Sequence, residues 1–303
     1  MIKIKKEFSL KKLTTFEIGG KSEYFTEAKN EKELLEALDF AKKNKLKVSI
    51  IAGGSNVVFS DKLLKGLLIK ISGTNLRVYK NEILVDAGVS LSRVIDLSIK
   101  NNLKGLESLS GIPGTIGGAI IGNAGAYGQS VSEVVEEIEI LDGERKKYLK
   151  NKQCHFSYRN SIFKNKNYII LRILLKFQKG DSKKLKKISK EIIKIRNKKY
   201  SNNLKCPGSF FKNLQVKDIS KSVLKKINKN KIIKGKIPAG YLLEEVGARG
   251  MREGDIKIAD YHGNLLINSG KAKFKDVKKI VNKLKNKVKN KFNIILEEEV
   301  RYL

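Results

Sequence analysis

Three polar side chains stand where their neighbours would hold them for chemistry. Ser209 lies between Gly208 and the pair Phe210-Phe211, just after Pro207. A tight loop of that kind can aim a hydroxyl into a dry site, although turn and helix-capping serines share the same surroundings. Arg159 follows Tyr158 and precedes Asn160-Ser161. A guanidinium grips a carboxylate through two parallel hydrogen bonds and neutralises charge that grows on it; an arginine exposed on a loop does neither. Glu299 belongs to Leu296-Glu297-Glu298-Glu299-Val300-Arg301. Strand alternation puts Glu297, Glu299 and Arg301 on one face and Leu296, Glu298, Val300 and Tyr302 on the other. On that face Glu299 and Arg301 alone would make an ordinary surface pair. No Ser-His-Asp pattern or nucleophile elbow accompanies Ser209, so nothing points to a hydrolase.

Two glycine-rich stretches supply the other ingredient. Leu106 to Gly128 holds seven of the 25 glycines and no charge after Glu107. Such density has a conformational cost and calls for positive φ or a close approach of backbone to a ligand. Bare N–H groups at Gly111, Gly114, Gly117 and Gly118 would line a phosphate. Ile112, Ile116, Ile120 and Ile121 between them would bury the stretch against a flat apolar ring. A buried corner that merely lets two elements pack is the plainer alternative. The second stretch, Ala52-Gly53-Gly54-Ser55-Asn56, follows the apolar run Val48 to Ile51 as a turn follows a strand. Two such loops imply one extended phosphorylated cofactor held at two points. Neither is G-x-G-x-x-G, and no P-loop occurs, which argues against both of those nucleotide folds.

Gly53-Gly54-Ser55-Asn56, then Gly111-Ile112-Pro113-Gly114-Thr115-Ile116-Gly117-Gly118 and Asn123-Ala124-Gly125-Ala126-Tyr127-Gly128, resemble the FAD-binding domain of p-cresol methylhydroxylase-type (PCMH-type) flavoproteins. Within that group the chain resembles the bacterial UDP-N-acetylenolpyruvoylglucosamine reductase family. Thr14-Thr15-Phe16 with Ile18-Gly19-Gly20 matches that family's opening. Tyr158 to Phe163, Gly208 to Asn213 and Leu296 to Arg301 match its later motifs, in the family's order. The sequence departs from the pattern in three places. Ala52 replaces the first of three glycines, Leu214 follows Asn213 where proline is common, and Arg252 stands where other side chains occur.

The resemblance implies an α+β fold: a two-subdomain PCMH-type FAD-binding domain followed by a smaller α+β substrate-binding domain. The expected spans are 1–180 for the flavin domain (subdomains of about 1–60 and 61–180), 181–200 for a connecting helix and 201–293 for the substrate domain. A terminal strand, 294–303, is expected to return to the flavin domain with Glu299. The implied activity is NADPH-dependent, FAD-mediated reduction of UDP-N-acetylglucosamine enolpyruvate to UDP-N-acetylmuramate, for peptidoglycan. Ser209 is then the proton donor, with Arg159 and Glu299 as catalytic partners. The implied cofactor residues are Gly53, Gly54, Ser55, Asn56, Ser110, Gly111, Ile112, Gly114, Gly117, Gly118, Asn123, Ala124 and Gly125. Tyr158, Lys212, Asn213 and Arg301 are implied substrate contacts. With no histidine in either glycine loop, the flavin is expected to be non-covalent. A different oxidase or dehydrogenase on the same flavin domain would keep the loops without needing Ser209 or Glu299.

Length and composition set wider bounds. The 303 residues suffice for two or three compact units. A net charge of +33 would suit a nucleic-acid binder. The lysines are nonetheless dispersed among Ile and Asn, without aromatic interleaving, so compositional bias is the better account and no nucleic-acid partner is expected. A non-enzymatic basic binder would leave both glycine loops unexplained. Cys154 and Cys206, in no metal-like spacing, suit a reducing cytoplasm, and no metal site is expected. No apolar run is long enough for membrane insertion, and a monomer acting on a small anionic UDP-sugar is expected.

The elements that must position these residues read clearly in places. Glu31 to Asn44 has Leu34, Ala37, Leu38 and Ala41 on one helical face. Strands are expected at Val48–Ile51, Leu67–Ile71, Ile83–Ala87 and Tyr168–Phe177. Ile138 and Ile140, alternating with Glu137 and Glu139, predict a half-buried strand. Helices are expected at Leu91–Asn101, at Asp181–Tyr200 (with Leu185, Ile188, Ile192 and Ile195 aligned), at Ala239–Val246 and at Lys273–Asn290. Ser201 to Gly208 has a turn composition and marks a boundary. Leu265–Asn268 and Ile294–Leu303 read as extended.

Overall fold

The computed structural model describes residues 2–201 and 204–303. Asn202 and Asn203, within the turn expected over Ser201 to Gly208, lie outside the described residues. The chain forms two compact units built from interleaved segments. One comprises Met1–Phe8, Ser22–Gly53 and Lys65–Tyr200; the other comprises Ser9–Lys21, Gly54–Leu64 and Ser201–Leu303.

The first unit is built on two larger sheets, beside two small two-stranded ones. In the four-stranded sheet the order is Lys5–Ser9, Lys21–Ala28, Leu64–Ile71, Val48–Ile51, and the last two strands run parallel. Helix α1 (Glu31–Lys43) connects into Val48–Ile51. Asn30 caps it by accepting the Glu33 N–H, and Lys42 and Lys43 suit its C-terminal dipole. Its buried Leu34, Ala37 and Ala41 pack with Leu67 and Ile69 of the sheet. The five-stranded sheet is antiparallel, in the order Arg145–Lys150, Val135–Asp142, Ile169–Lys176, Glu82–Asp86, Leu76–Tyr79.

Strand Val135–Asp142 is not half-buried, as its alternation predicts. Ile138 and Ile140 enter the core beneath helices α2 (Leu91–Lys100) and α3 (Ile116–Gly122), while Leu141 packs into the α1 core on the other face. Glu139 is also buried, at 6 % exposure. Its carboxylate accepts from Arg172 Nε at 2.5 Å and from Nη2 at 3.0 Å. The neighbouring strand supplies the partner that makes this burial tolerable. Helix α4 (Ser182–Lys199) buries Leu185, Ser189 and Ile192, whereas Ile188 and Ile195, expected on the same stripe, are exposed.

The second unit is assembled around helix α7 (Phe274–Phe292), whose Val277, Ile280, Val281, Leu284 and Val288 are fully buried. Two short helices, α5 (Lys221–Leu224) and α6 (Ala239–Glu244), and a three-stranded sheet (Arg252–Glu253, Ile256–Ile258, Leu266–Asn268) complete most of it. Phe16, Ile18 and Val58 lie in the same core, which is why segments from early in the chain belong to this unit. The long strand expected over Ile294–Leu303 shrinks to Arg301–Tyr302, which pairs in parallel with Val57–Val58. Ahead of it Glu298 makes only an isolated bridge with Phe211. Among the described residues no helix is long and apolar enough to cross a membrane.

Candidate active site

The first unit carries both glycine-rich stretches as far as Gly53. A Cβ placed on Gly53 would lie 2.7 Å from the Cα of Gly114 and 3.1 Å from the Thr115 nitrogen. Glycine is therefore required at Gly53 by the approach of two backbones. The N–H groups of Gly53 and Gly114 have no acceptor among the described residues. Ala52 is not among the left-handed residues, so its methyl group imposes no backbone strain at this turn.

The second stretch is not a continuous loop. Residues Ile116–Gly122 form α3, with Thr115 as N-cap. The supposedly bare N–H groups of Gly117 and Gly118 are already used: Gly117 donates to the Ala87 carbonyl at 3.0 Å and Gly118 to Thr115 Oγ1 at 3.2 Å. Ser110 is buried, and its hydroxyl binds the Glu107 carbonyl at 2.7 Å and Ser189 Oγ at 2.8 Å. Gly111 and Gly114 keep positive φ, at 76° and 108°. A phosphate fits this arrangement: closely packed glycine backbone, N–H donors at Gly53 and Gly114 without a protein acceptor among the described residues, and no acidic side chain from Ala52 to Ser60 or from Ser108 to Gly128.

Arg159 is presented by a two-residue turn. Ser157 and Asn160 exchange backbone hydrogen bonds at 3.1 Å each, leaving Tyr158 and Arg159 at the tip. Arg159 has φ +55°, a conformation that costs an L-residue roughly 1–2 kcal/mol and is tolerated where the surroundings impose it. The end of α3 imposes it. Asn123 Nδ2 donates to the Ser157 carbonyl at 2.9 Å, and Ser161 Oγ donates to Ile121 at 2.8 Å. The Arg159 Nη2 itself donates to the Gly125 carbonyl at 2.8 Å, and its guanidinium carbon lies 5.3 Å from the Tyr158 ring centroid. Asn123 and Gly125, expected to touch cofactor, thus also aim the arginine. Ala124 N–H is taken up by Ala119 at 2.8 Å.

Ser209 and Glu299 come together in the second unit. Ser209 bridges to Leu265. Phe210, the next residue, accepts the Glu299 N–H at 2.8 Å, while the Glu299 carbonyl accepts from Asn56 Nδ2 at 3.1 Å. The Asn56 carbonyl accepts the Arg301 N–H at 3.0 Å. Glu299 is therefore held from both sides at the backbone, next to Ser209 and to the Asn that ends the first glycine stretch. The other two glutamates are committed to lysines: Glu297 pairs with Lys212, and Glu298 with Lys285. Burial pushes the Glu298 carboxyl up, but Lys285 and Tyr302 more than offset this and leave it below the ordinary range.

Two expected substrate residues have structural duties as well. Lys212 holds Glu297, and Asn213 Oδ1 caps α6 by accepting the Ala239 N–H at 3.1 Å. One residue that sequence reading passes over is Asn264, 2 % exposed. Its side chain brackets the Phe211 backbone, accepting from its N–H and donating to its C=O at 2.8 Å each. Its carbonyl takes the Phe210 N–H at 3.1 Å, and its own N–H donates to His262 Nδ1 at 3.0 Å. An asparagine heading the apolar run Leu265-Leu266-Ile267 was the available signal. Through Nδ1, His262 fixes this asparagine.

The model described as the C-terminal domain of UDP-N-acetylenolpyruvoylglucosamine reductase matches residues 199–303, and a model described as an FAD binding domain matches residues 22–146. Named relatives match over nearly their full length. The UDP-N-acetylenolpyruvoylglucosamine reductase of Solibacter usitatus is 38 % identical over 291 residues, covering 96 % of this chain and 93 % of its own. That of Caldanaerobacter subterraneus is 32 % identical, with coverages of 96 % and 91 %. The crystal structure of the Thermus caldophilus reductase superposes with a TM-score of 0.80 at 25 % identity, covering 100 % of this chain and 99 % of its own. The chain belongs to the UDP-N-acetylenolpyruvoylglucosamine reductase family.

Proposed function

We propose that Arg159, Ser209 and Glu299 carry out the family reaction here, the reduction of UDP-N-acetylglucosamine enolpyruvate to UDP-N-acetylmuramate for peptidoglycan synthesis. The enzyme is an FAD-dependent oxidoreductase that uses NADPH. FAD, when bound, stores two electrons between the nicotinamide and the enolpyruvyl group. Gly53, Gly54, Ser55 and Asn56 would hold it together with Ser110 to Gly114 and the start of α3. In that second stretch the contacts come mainly from backbone, since Ser110 Oγ is turned towards α4.

Hydride addition at the vinyl carbon pushes charge towards the carboxylate and leaves the adjacent carbon strongly basic. Arg159 neutralises the carboxylate side of that charge. Ser209, a weak acid, gives its proton to the carbanion, which is basic enough to take it. Glu299 supports the same intermediate from beside Ser209. Tyr158, Lys212, Asn213 and Arg301 are read as contacts to the UDP-sugar, with the Lys212–Glu297 pair opening when an anionic substrate competes for the ammonium. We place the reaction in the cytoplasm, with the chain acting as a monomer and without nucleic acid. We assign the flavin to a domain over 1–180, joined by a connecting helix over 181–200 to the substrate domain over 201–293, with 294–303 returning Glu299 to the flavin.

The observation that carries this reading is the backbone grip on Glu299 between Asn56 and Phe210, one residue from Ser209. The test is an anaerobic spectrum of the flavin in two steps, first with NADPH and then with the enolpyruvyl UDP-sugar. Wild type bleaches and then recovers; Ser209→Ala bleaches normally and fails to recover. Recovery of Ser209→Ala at the wild-type rate would remove Ser209 from the chemistry.

A further inference from the structure

Neither glycine stretch carries a cation. From Ser108 to Gly128 and from Ala52 to Ser60 there is no charged residue at all. Backbone N–H groups alone would face the two charges of a diphosphate, so a cation has to come from another element. In the first unit α4 is fastened along the second stretch by the buried Ser189–Ser110 hydroxyl pair. Two turns further along the same helix face is Arg196.

Arg196 is laid over Gly111. A Cβ at Gly111 would lie 3.2 Å from Arg196 Cδ and 3.3 Å from its Nε. The far side of the guanidinium faces Tyr200, whose ring centroid is 5.0 Å from Cζ. The arginine is thereby pinned between a ring and a glycine. Its Nε is nevertheless buried with no hydrogen-bond partner among the described residues. Burying an N–H without an acceptor works against folding unless a ligand supplies one. Four lysines of α4, Lys183, Lys187, Lys190 and Lys194, lie exposed on the opposite side of the helix, and Lys199 is turned to the Tyr200 ring.

We infer that Arg196 is a ligand for the diphosphate of the flavin dinucleotide, supplying the charge that the glycine stretches lack. The inference rests on those stretches holding FAD, as proposed above. Arginine suits the position because its planar fork offers paired donors to phosphate oxygens while the stem packs flat on glycine.

The test uses the full-length chain stripped of flavin and titrated with FAD and, separately, with riboflavin, which has the ring system and no phosphate. Arg196→Met is expected to raise the Kd for FAD roughly tenfold to a hundredfold, the loss of a charge-assisted hydrogen bond. Its Kd for riboflavin stays within about twofold, and Arg196→Lys recovers part of the FAD affinity. Thermal melting of the flavin-free variants checks that the chain is still folded. An unchanged FAD affinity in Arg196→Met overturns the inference. So does an equal loss for riboflavin, which would mean that the loop has lost its shape. A raised KM for the UDP-sugar with FAD affinity intact also overturns it, by giving the guanidinium to the substrate's diphosphate. Wild-type chain that takes up no FAD refutes the flavoprotein reading itself, and this inference with it.

Discussion

Replacing Asn264 with alanine should separate the two halves of the reaction. The side chain makes two hydrogen bonds of 2.8 Å to the backbone N–H and C=O of one residue, Phe211, which is itself only 1 % exposed. Asn264→Ala leaves a buried N–H and a buried C=O unpaired, each at about 1–3 kcal/mol. With partial relaxation the expected loss is about 2–4 kcal/mol, read as a lower denaturation midpoint in urea with little change in slope. The loosened segment includes Phe210, whose carbonyl holds the Glu299 N–H. Ser209 and Glu299 therefore shift together. A misplacement of about 1 Å at reacting groups costs on the order of 100-fold in rate. Stopped-flow traces should show flavin reduction by NADPH within about twofold of wild type and reoxidation by the UDP-sugar slowed roughly 10–100-fold. Asn264→Asp keeps the acceptor for the Phe211 N–H and should fall between the two. Destabilisation without any slowing of reoxidation would refute the reasoning, because the bracket would then serve the fold alone.

Gly53→Ala would bring a methyl group to 2.7 Å from the Gly114 Cα; the two stretches must part, and purified protein should retain less than about a tenth of the wild-type flavin absorbance. For Glu139, burial pushes the carboxyl up, but Arg172 and Lys146 outweigh it and leave it below its ordinary value of 4.5. A carboxyl depressed on folding stabilises fully above the unfolded value and loses that contribution as pH falls through the folded one. Arg172→Met should therefore cost about 1–3 kcal/mol at pH 7, a figure discounted because the Arg172 side chain is 41 % exposed. Urea melts from pH 7 to pH 3 should show less acid sensitivity in that variant than in wild type. The Cys154 thiol, pushed up to about 11 by burial, should resist iodoacetamide at pH 8 in the folded chain and react once it is unfolded, as mass spectrometry would show.

Residue type and order pointed to several of the local structures around the candidate site. The glycine stretches and the tight Ser209 loop were legible, because each depends on a local backbone demand that few residue types satisfy; the turn that presents Arg159 was not read from its residues. Helices α1, α2 and α7 were legible through their 3.6-residue stripes. Helix α3 was not, since Ile116 to Gly122 is four-sevenths glycine and alanine and reads as a loop; the Thr115 cap was the cue. Strand Val135–Asp142 misled because alternation reports one buried face, and its second face is covered by α1 and an ion pair from the adjacent strand, which comes about thirty residues later in the sequence. The pairing of Val57–Val58 with Arg301–Tyr302 has no local signature at all, nor does the approach of Arg196 to Gly111. Contacts of that kind are decided by the assembled core.

That last pairing bears on how the protein is made. Every segment of the first unit precedes Ser201, so its cores can close while the rest of the chain is still being translated. Residues 9–21 and 54–64 emerge early too, yet Phe16, Ile18 and Val58 find their apolar partners only after residue 201. Until then they are exposed hydrophobic segments on a nascent chain, and a natural target for chaperones. The Val57–Val58 edge waits longest, because its partners are residues 301 and 302. The second unit can therefore be completed only once residue 302 has been made, long after the cores of the first.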